Sequence, residues 1–206
     1  MNRLGNSALA PRAAIAGLKY SLVFLPFLFL PGCLLDVVSW TINRGNISIT
    51  YSPPPHTRKF QDLHLEKTSS IVALKIGGGD VRANMANVSN ALIERGFAVR
   101  DYSLTLRALG RENLLSRKPL DPELLRKAAE LFPESAGIAG SIEVVQKEPL
   151  RLFLVLNWID MKTRKVIWSA KATYAGRRLA AGEEAVADAA RRLVYDVLYV
   201  VPRAEP

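Results

Sequence analysis

Residues 152–174, LFLVLNWIDMKTRKVIWSAKATY, contain the two most clearly marked β-strands of this 206-residue chain. Residues 152–159 and 165–174 are rich in aliphatic, aromatic and β-branched side chains, which are typical of strands. The segment between them, Asp160 to Arg164, has the length of a hairpin loop. We therefore predict an antiparallel hairpin in which Trp158 and Trp168 are near neighbours that pack in the core or on a face of the sheet.

The stretch that begins at Ser70 predicts a strand, a helix and a second strand. Residues 70–76 are apolar and β-branched and end at the loop Gly77-Gly78-Gly79-Asp80. Apolar side chains then recur at helical spacing as far as Gly96, a good helix terminator, and are Val81, Met85, Val88 and Leu92. Residues 97–101 form the next strand. Because such a crossover joins neighbouring parallel strands, we expect these two strands to be parallel.

The remaining segments complete an α/β pattern. Residues 104–115 are weakly helical, Asp121-Pro122 is a good helix start, residues 136–145 form a third strand, and residues 183–200 form a helix that Pro202 ends. The fold class is therefore α/β, with one domain over residues 69–202 and a tail at 203–206. We predict a mixed sheet in the order βαβααβββα, flanked by helices in two or three layers.

Residues 33–68 differ from the domain and predict an extended arm. Leu34 to Ile42 is an apolar run, residues 46–51 alternate polar and apolar side chains as in a short strand, and Ser52-Pro53-Pro54-Pro55 favours a polyproline-like spacer. Trp40 lies in this arm, where it is a candidate contact with a membrane or with a partner.

The first 33 residues are typical of an exported protein. Basic residues occur at Arg3, Arg12 and Lys19, with no acidic residue before Asp36, and an apolar run follows from Leu22 to Leu30. This layout is that of a secretory signal, and the run is about half of the ~20 residues that a membrane-spanning helix needs.

The signal ends in a sequence that resembles the lipobox of bacterial lipoproteins, Leu30-Pro31-Gly32-Cys33. The small residue before the cysteine gives a peptidase access to the bond, and the cysteine thiol accepts a diacylglycerol. We predict that residues 1–32 are removed and that Cys33 is lipidated, which would anchor the protein to a membrane. The alternatives are an ordinary cleaved signal or an uncleaved anchor, in which Cys33 is only an apolar residue.

Composition and charge exclude some functions. The chain has one cysteine and therefore no internal disulfide framework. Its formal net charge is +9, and removal of residues 1–32 would lower it to +6. This excess is that of an ordinary basic surface, or it could attract anionic lipids or an acidic polymer. Nucleic acid is an unexpected partner, because export takes the chain out of the cytoplasm.

The sequence has no catalytic or metal-binding pattern. His56 and His64 are the only histidines, lie in or beside the proline-rich arm, and do not have the spacing of ligands on one helix face. Ser141 lies in a strand pattern and outside any Gly-x-Ser-x-Gly elbow. The loop Gly77 to Asp80 lacks the remainder of a phosphate-binding motif, so we interpret it as a tight connection with Asp80 as helix N-cap. We expect no enzyme activity, no metal and no cofactor.

Several of these landmarks resemble the CsgG-type lipoprotein superfamily, which includes a curli-secretion channel subunit and lipoprotein activators of penicillin-binding proteins. The similar segments are residues 71–74, 92–99, 131–142 and the hairpin Trp158-Ile159-Asp160 to Val166-Ile167-Trp168. The resemblance covers about residues 69–201 and implies a CsgG-like α/β domain. Two departures are Arg164, where members of the family often have Gly, and the lack of strands for additional membrane-spanning hairpins.

The resemblance implies a non-catalytic scaffold or regulator of a cell-envelope assembly, with a peptidoglycan synthase or a secretion or surface-assembly protein as partner, and with self-assembly as an option. Leu34 follows the lipidated cysteine where Asp would retain a lipoprotein in the inner membrane. We therefore expect the periplasmic side of the outer membrane, if the source has two membranes. The alternative is an accessory lipoprotein of an envelope lipid or ABC-type transport system, with an apolar cavity between sheet and helices.

Overall fold

Seven strands and four helices make up the described part of the chain. The computed structural model describes residues 39–52, 70–176 and 183–201. In chain order the elements are β1 (Trp40–Arg44), β2 (Ile47–Ser52), β3 (Ser70–Gly77), α1 (Val81–Glu94), β4 (Ala98–Val99), α2 (Tyr102–Arg111), α3 (Pro122–Leu131), β5 (Ala136–Lys147), β6 (Leu150–Asp160), β7 (Lys165–Ala175) and α4 (Glu183–Leu198).

The strands form one mixed sheet in the order β1-β2-β7-β6-β5-β3-β4. β3 is parallel to β4 and to β5, and the other neighbouring pairs are antiparallel. The α/β fold class, the antiparallel β6–β7 hairpin and the parallel crossover pair are therefore confirmed. The predicted order βαβααβββα is also found, from β3 to α4.

Helices cover the sheet on both faces, so the domain has three layers. On one face, α1 and α4 pack on β2, β7, β6 and β3 and form the larger core. On the other face, Leu109 of α2 and Leu124, Leu125 and Ala128 of α3 cover a smaller core that includes Val72 and Leu74 of β3. Three helices begin at an aspartate whose side chain accepts a backbone N–H of the first turn, namely Asp80, Asp101 and Asp121. Each such cap satisfies a donor that the helix itself cannot.

A row of five aromatic rings crosses the larger core from Trp40 in β1 to Phe97, which lies between α1 and β4. Trp40 stacks on Tyr51 at 6.1 Å between ring centroids, and Tyr51 stacks on Trp168 at 5.9 Å. Trp168 meets Trp158 edge-on at 6.4 Å, and Trp158 meets Phe97 at 5.8 Å. Trp158 and Trp168 are only 2% and 1% exposed. The prediction that these two residues are neighbours across the hairpin and pack in the core is confirmed.

The beginning of the sheet differs from the sequence-based interpretation. We predicted an extended arm over residues 33–68, but residues 40–52 form β1 and β2 of the sheet. β2 pairs with β7 from Ile47↔Tyr174 to Ser52↔Ser169, and its Ile47, Ile49 and Tyr51 are buried. The strand-like alternation of residues 46–51 therefore has a physical basis, since every second side chain enters the core. The segment 53–69, with its prolines, lies outside the described residues.

The turn between β6 and β7 is closed by its own backbone and by Asp160. The Asp160 carboxylate accepts the N–H of Thr163 at 2.8 Å, and its carbonyl accepts the N–H of Arg164 at 2.7 Å. Arg164 has φ +59°, in the left-handed region that suits Gly. Arg164 therefore adopts a backbone conformation that costs a residue with a side chain more than it costs glycine.

We predict that β2 contributes fully to the stability of the domain. Ile49→Ala should lower the free energy of unfolding by about 2–5 kcal/mol, because Ile49 is completely buried in the larger core. Ser48→Ala, on the opposite face of the same strand, should change it by no more than about 0.5 kcal/mol. Urea denaturation followed by circular dichroism measures both. Equal, small effects would mean that residues 40–52 are an arm after all.

Candidate functional site

An exposed tyrosine contacts two arginines where β1, α1 and α4 meet. The ring of Tyr199 is 60% exposed and follows directly after α4. The guanidinium of Arg44, at the end of β1, lies 4.9 Å from the ring centroid, and that of Arg95, at the end of α1, lies 5.4 Å from it. Arg95 also donates a hydrogen bond to the carbonyl of Val201. Two cations this close to one aromatic ring are attracted to it and favour one orientation of the ring. We call Arg44, Arg95 and Tyr199 the Tyr199 surface.

Asp196 offsets part of the positive charge of this surface. Its carboxylate lies 3.8 Å from a guanidinium nitrogen of Arg44 and 3.8 Å from Arg192. Because both arginines are well exposed, each pair contributes little to stability, typically less than about 1 kcal/mol. The main effect of Asp196 is to orient Arg44 toward α4.

An open groove of about 540 Å³ lies between the outer sides of α1 and α4. It is lined by Glu94, Asp188, Arg191, Arg192 and Tyr195. The Tyr195 hydroxyl donates a 2.8 Å hydrogen bond to the Glu94 carboxylate. Burial and then this carboxylate raise the pKa of Tyr195, so the phenol stays protonated and remains a donor. Four of its five lining side chains carry a charge, so the groove differs from the pocket of apolar side chains that a lipid would need.

The structure places Trp40 at an edge of the sheet. Trp40 is 38% exposed and rests on Tyr51, so one side of its ring is packed and the other part is accessible. Tyr51 itself is buried, and its hydroxyl donates to the carbonyl of Val197. Burial raises the pKa of Tyr51 well above that of a free tyrosine. The remaining predicted site residues, Cys33 with Leu30, Pro31 and Gly32, lie outside the described residues.

The glycine loop after β3 uses its polar groups within the fold. The Asp80 side chain accepts the N–H of Ala83, as expected for an N-cap. The Asn84 amide donates to the carbonyls of Gly77 and Gly78, at 3.4 Å and 2.6 Å. Gly78 has φ +85°, and a Cβ there would lie 1.8 Å from the carbonyl oxygen of Ile142. The loop therefore makes the tight strand-to-helix connection that the sequence predicts.

The described residues contain neither a cluster of metal-binding side chains nor a helix suited to crossing a membrane. Within residues 39–52, 70–176 and 183–201, no group of three His, Cys, Asp or Glu side chains could hold a metal ion. In the same part of the chain, no helix combines the length and the apolar character that crossing a bilayer requires. Both histidines of the chain lie outside these ranges.

Sequence reasoning missed the Tyr199 surface. Its residues come from three elements that are far apart in the chain, and none of them belongs to a motif. The one hint in the sequence is the position of Tyr199. It directly precedes Val200-Val201-Pro202, where the helix ends, and it does not belong to the apolar face of α4.

Comparison with known proteins gives a likeness of fold. No protein-family model and no curated protein matches this sequence. Among solved structures, a PelC dodecamer from Paraburkholderia phytofirmans is similar, with a TM-score of 0.52 and 15% identity, over 78% of this chain and 99% of the PelC chain. A variant of that PelC, also a dodecamer, has a TM-score of 0.46 and 16% identity, over 68% of this chain and 92% of the other. Lipoprotein GNA1162 from Neisseria meningitidis has a TM-score of 0.44 and 14% identity, over 63% and 96%. The first of these shows that the described domain has the fold of PelC.

We predict that Glu94→Gln lowers the pKa of Tyr195. The substitution removes a negative charge and a carboxylate acceptor that favour the protonated phenol. Tyrosine ring resonances followed by NMR between neutral and alkaline pH measure the shift. Tyr51 is the internal control, because its pKa is raised by burial and is influenced by Arg44 and Asp196 rather than by Glu94. An unchanged Tyr195 titration would contradict the hydrogen bond that defines the groove.

Proposed function

We propose that this protein is a lipid-anchored, non-catalytic scaffold or regulator of a cell-envelope assembly. Cys33 would hold it to the membrane, and its α/β domain would bind a protein partner. The partner would be a peptidoglycan synthase or a component of a secretion or surface-assembly system. In a bacterium with two membranes, we place it on the periplasmic side of the outer membrane.

The observation that carries this proposal is the Tyr199 surface. Tyrosine and arginine are enriched among the residues that dominate binding at protein interfaces, since they combine large contact areas with hydrogen bonds. Here the arginines fix the tyrosine before any partner arrives, so little side-chain entropy remains to be lost on binding. The adjoining charged groove would supply the polar rim of such an interface.

The similar fold of PelC adds the option that the partner is another copy of this chain. That PelC structure is a dodecamer. Self-assembly would then be part of the scaffold function, and the Tyr199 surface would be a candidate contact between copies. The size of the purified, lipidated protein distinguishes self-assembly from binding of a different protein.

The alternative function, a transport accessory, needs an apolar cavity between the sheet and its helices. The large side chains on the sheet would have to leave that space empty. Trp168, one of the residues that could have lined it, instead packs between Tyr51 and Trp158. No specific contact among the described residues favours an apolar ligand at this position, so the scaffold is the function we propose.

Anchoring through Cys33 has a direct test. Cys33→Ser should abolish incorporation of a radiolabelled fatty acid and move the protein out of the membrane fraction, because the thiol that accepts the lipid is absent. The readouts are autoradiography and membrane fractionation of cells that produce each form. Labelling that persists in the variant would contradict the lipoprotein proposal.

Binding through the Tyr199 surface can be tested by photocrosslinking. We expect that p-benzoylphenylalanine in place of Tyr199 gives a specific crosslinked species in intact cells, which mass spectrometry identifies. The matched control carries the same residue in place of Leu104, which is 47% exposed on α2. An envelope protein or a second copy of this chain, captured from position 199 and not from 104, supports the proposal. Absence of a crosslink from position 199, or equal crosslinks from both positions, would contradict it.

A further inference from the structure

The turn between β6 and β7 is a small basic projection. Lys162, Arg164 and Lys165 are exposed, and none of the three forms an ion pair with any residue that the structure describes. Next to them, Val166 is 43% exposed. Three unpaired cations beside an apolar side chain suit a surface of anionic headgroups over an apolar layer. We call Lys162, Arg164 and Lys165 the basic turn.

Two acidic residues near this end of the sheet, Asp160 and Glu134, already have partners. The Asp160 carboxylate accepts the N–H of Thr163 inside the turn. Glu134, in the segment that leads into β5, pairs with Arg100 at 2.9 Å. Neither acid forms a salt bridge with a cation of the basic turn among the described residues. The turn therefore presents a net positive charge to whatever lies beyond it.

The strand directions place the basic turn at the end of the sheet where β1 begins. β1 is antiparallel to β2, and β2 is antiparallel to β7, so β1 and β7 run in the same direction. Trp40 pairs with Tyr51, which lies opposite Ala170. The first residue of β7, Lys165, is five residues further toward this end, so the turn extends about 15 Å beyond Trp40.

The covalent distance from the proposed lipid anchor to this end is short. Only seven peptide units separate Cys33 from Trp40, and a fully extended chain of that length spans about 25 Å. A membrane that holds the acyl chains of Cys33 thus lies within about 25 Å of Trp40. The basic turn projects about 15 Å beyond Trp40 in the strand direction, which is more than half of that maximum distance. The tether is therefore too short to hold this end of the sheet far from the headgroups.

We propose that the basic turn rests on the anionic surface of the membrane to which Cys33 is attached and so fixes the orientation of the domain. This inference rests on the proposed lipidation of Cys33. The lipid chains provide the attachment, and Lys162, Arg164 and Lys165 provide the electrostatic contact that selects one end of the sheet. Trp40 lies at the same end of the sheet, about 15 Å behind the turn in the strand direction.

Fluorescence quenching by spin-labelled headgroups tests the orientation. Two variants of the lipoprotein are purified from membranes. One carries Thr163→Cys in the basic turn, and the other carries Lys147→Cys beside the β5–β6 turn, at the opposite end of the sheet. The introduced thiol of each variant is labelled with a dye. The proteins are reconstituted into vesicles of phosphatidylcholine, or into mixed vesicles with about a quarter phosphatidylglycerol. We expect at least twofold stronger quenching at position 163 than at 147 in the anionic vesicles. About 0.5 M NaCl should reduce this difference, because it screens the headgroups.

Charge removal provides matched controls. Lys162→Gln, Arg164→Asn and Lys165→Gln together should reduce quenching at position 163 by about half, with Asn chosen because it tolerates the positive φ of Arg164. Arg107→Gln, Arg111→Gln and Lys118→Gln remove the same charge from α2 and the loop after it, and should leave the quenching unchanged. Equal quenching at positions 163 and 147, or quenching at 163 that is insensitive to the basic turn, would overturn the proposal.

The same preparation separates this proposal from the anchor on which it rests. A lipidated Cys33 cannot react with the dye, so protein without an introduced cysteine should stay unlabelled. If that protein takes up the dye, the lipid anchor is wrong, whatever the turn does. If it stays unlabelled and the two positions are quenched equally, the anchor stands and the membrane contact of the basic turn is wrong.

Discussion

The pairing of β2 with β7 is the constraint on which the rest of this structure depends. It brings the side chain of Tyr51 between Trp40 and Trp168 and so completes the aromatic row from β1 to Phe97. Edge-on and offset aromatic contacts each add about 0.5–1.5 kcal/mol to the burial of their rings. Through this row the first strand of the domain is fixed to the centre of the sheet.

The sequence predicted those elements of the fold that depend on residues close to one another in the chain. The β6–β7 hairpin, the crossover from β3 to β4 and the helices capped by Asp80 and Asp121 depend on local patterns, and all are confirmed. The sequence could not predict the role of residues 40–52, although the alternation of Ile47, Ile49 and Tyr51 was visible. Their partner strand begins more than a hundred residues later, and the prolines that follow are equally typical of a linker.

The candidate site also combines a residue that the sequence could single out with residues that only the fold brings together. Trp40 could be selected from the sequence, because a tryptophan near a proposed lipid anchor stands out. Tyr199 could not, since its environment comes from Arg44 and Arg95, which approach it only after β1 joins the sheet and α4 packs beside α1. An interaction surface without a catalytic motif is defined by exposure and by neighbours, and both are properties of the folded chain.

The correction of the arm changes what the anchor can do. A tether of 36 residues, as the sequence suggested, would let the domain tumble freely above the membrane. Because the folded sheet starts at Trp40, the proposed tether shortens to the residues between Cys33 and β1, and the start of β1 is the part of the domain nearest the proposed anchor. Arg44 is at the other end of the same strand, about 13 Å further away. The Tyr199 surface nevertheless lies near the end where β1 begins, because Val197, two residues before Tyr199, accepts a hydrogen bond from Tyr51, the pairing partner of Trp40.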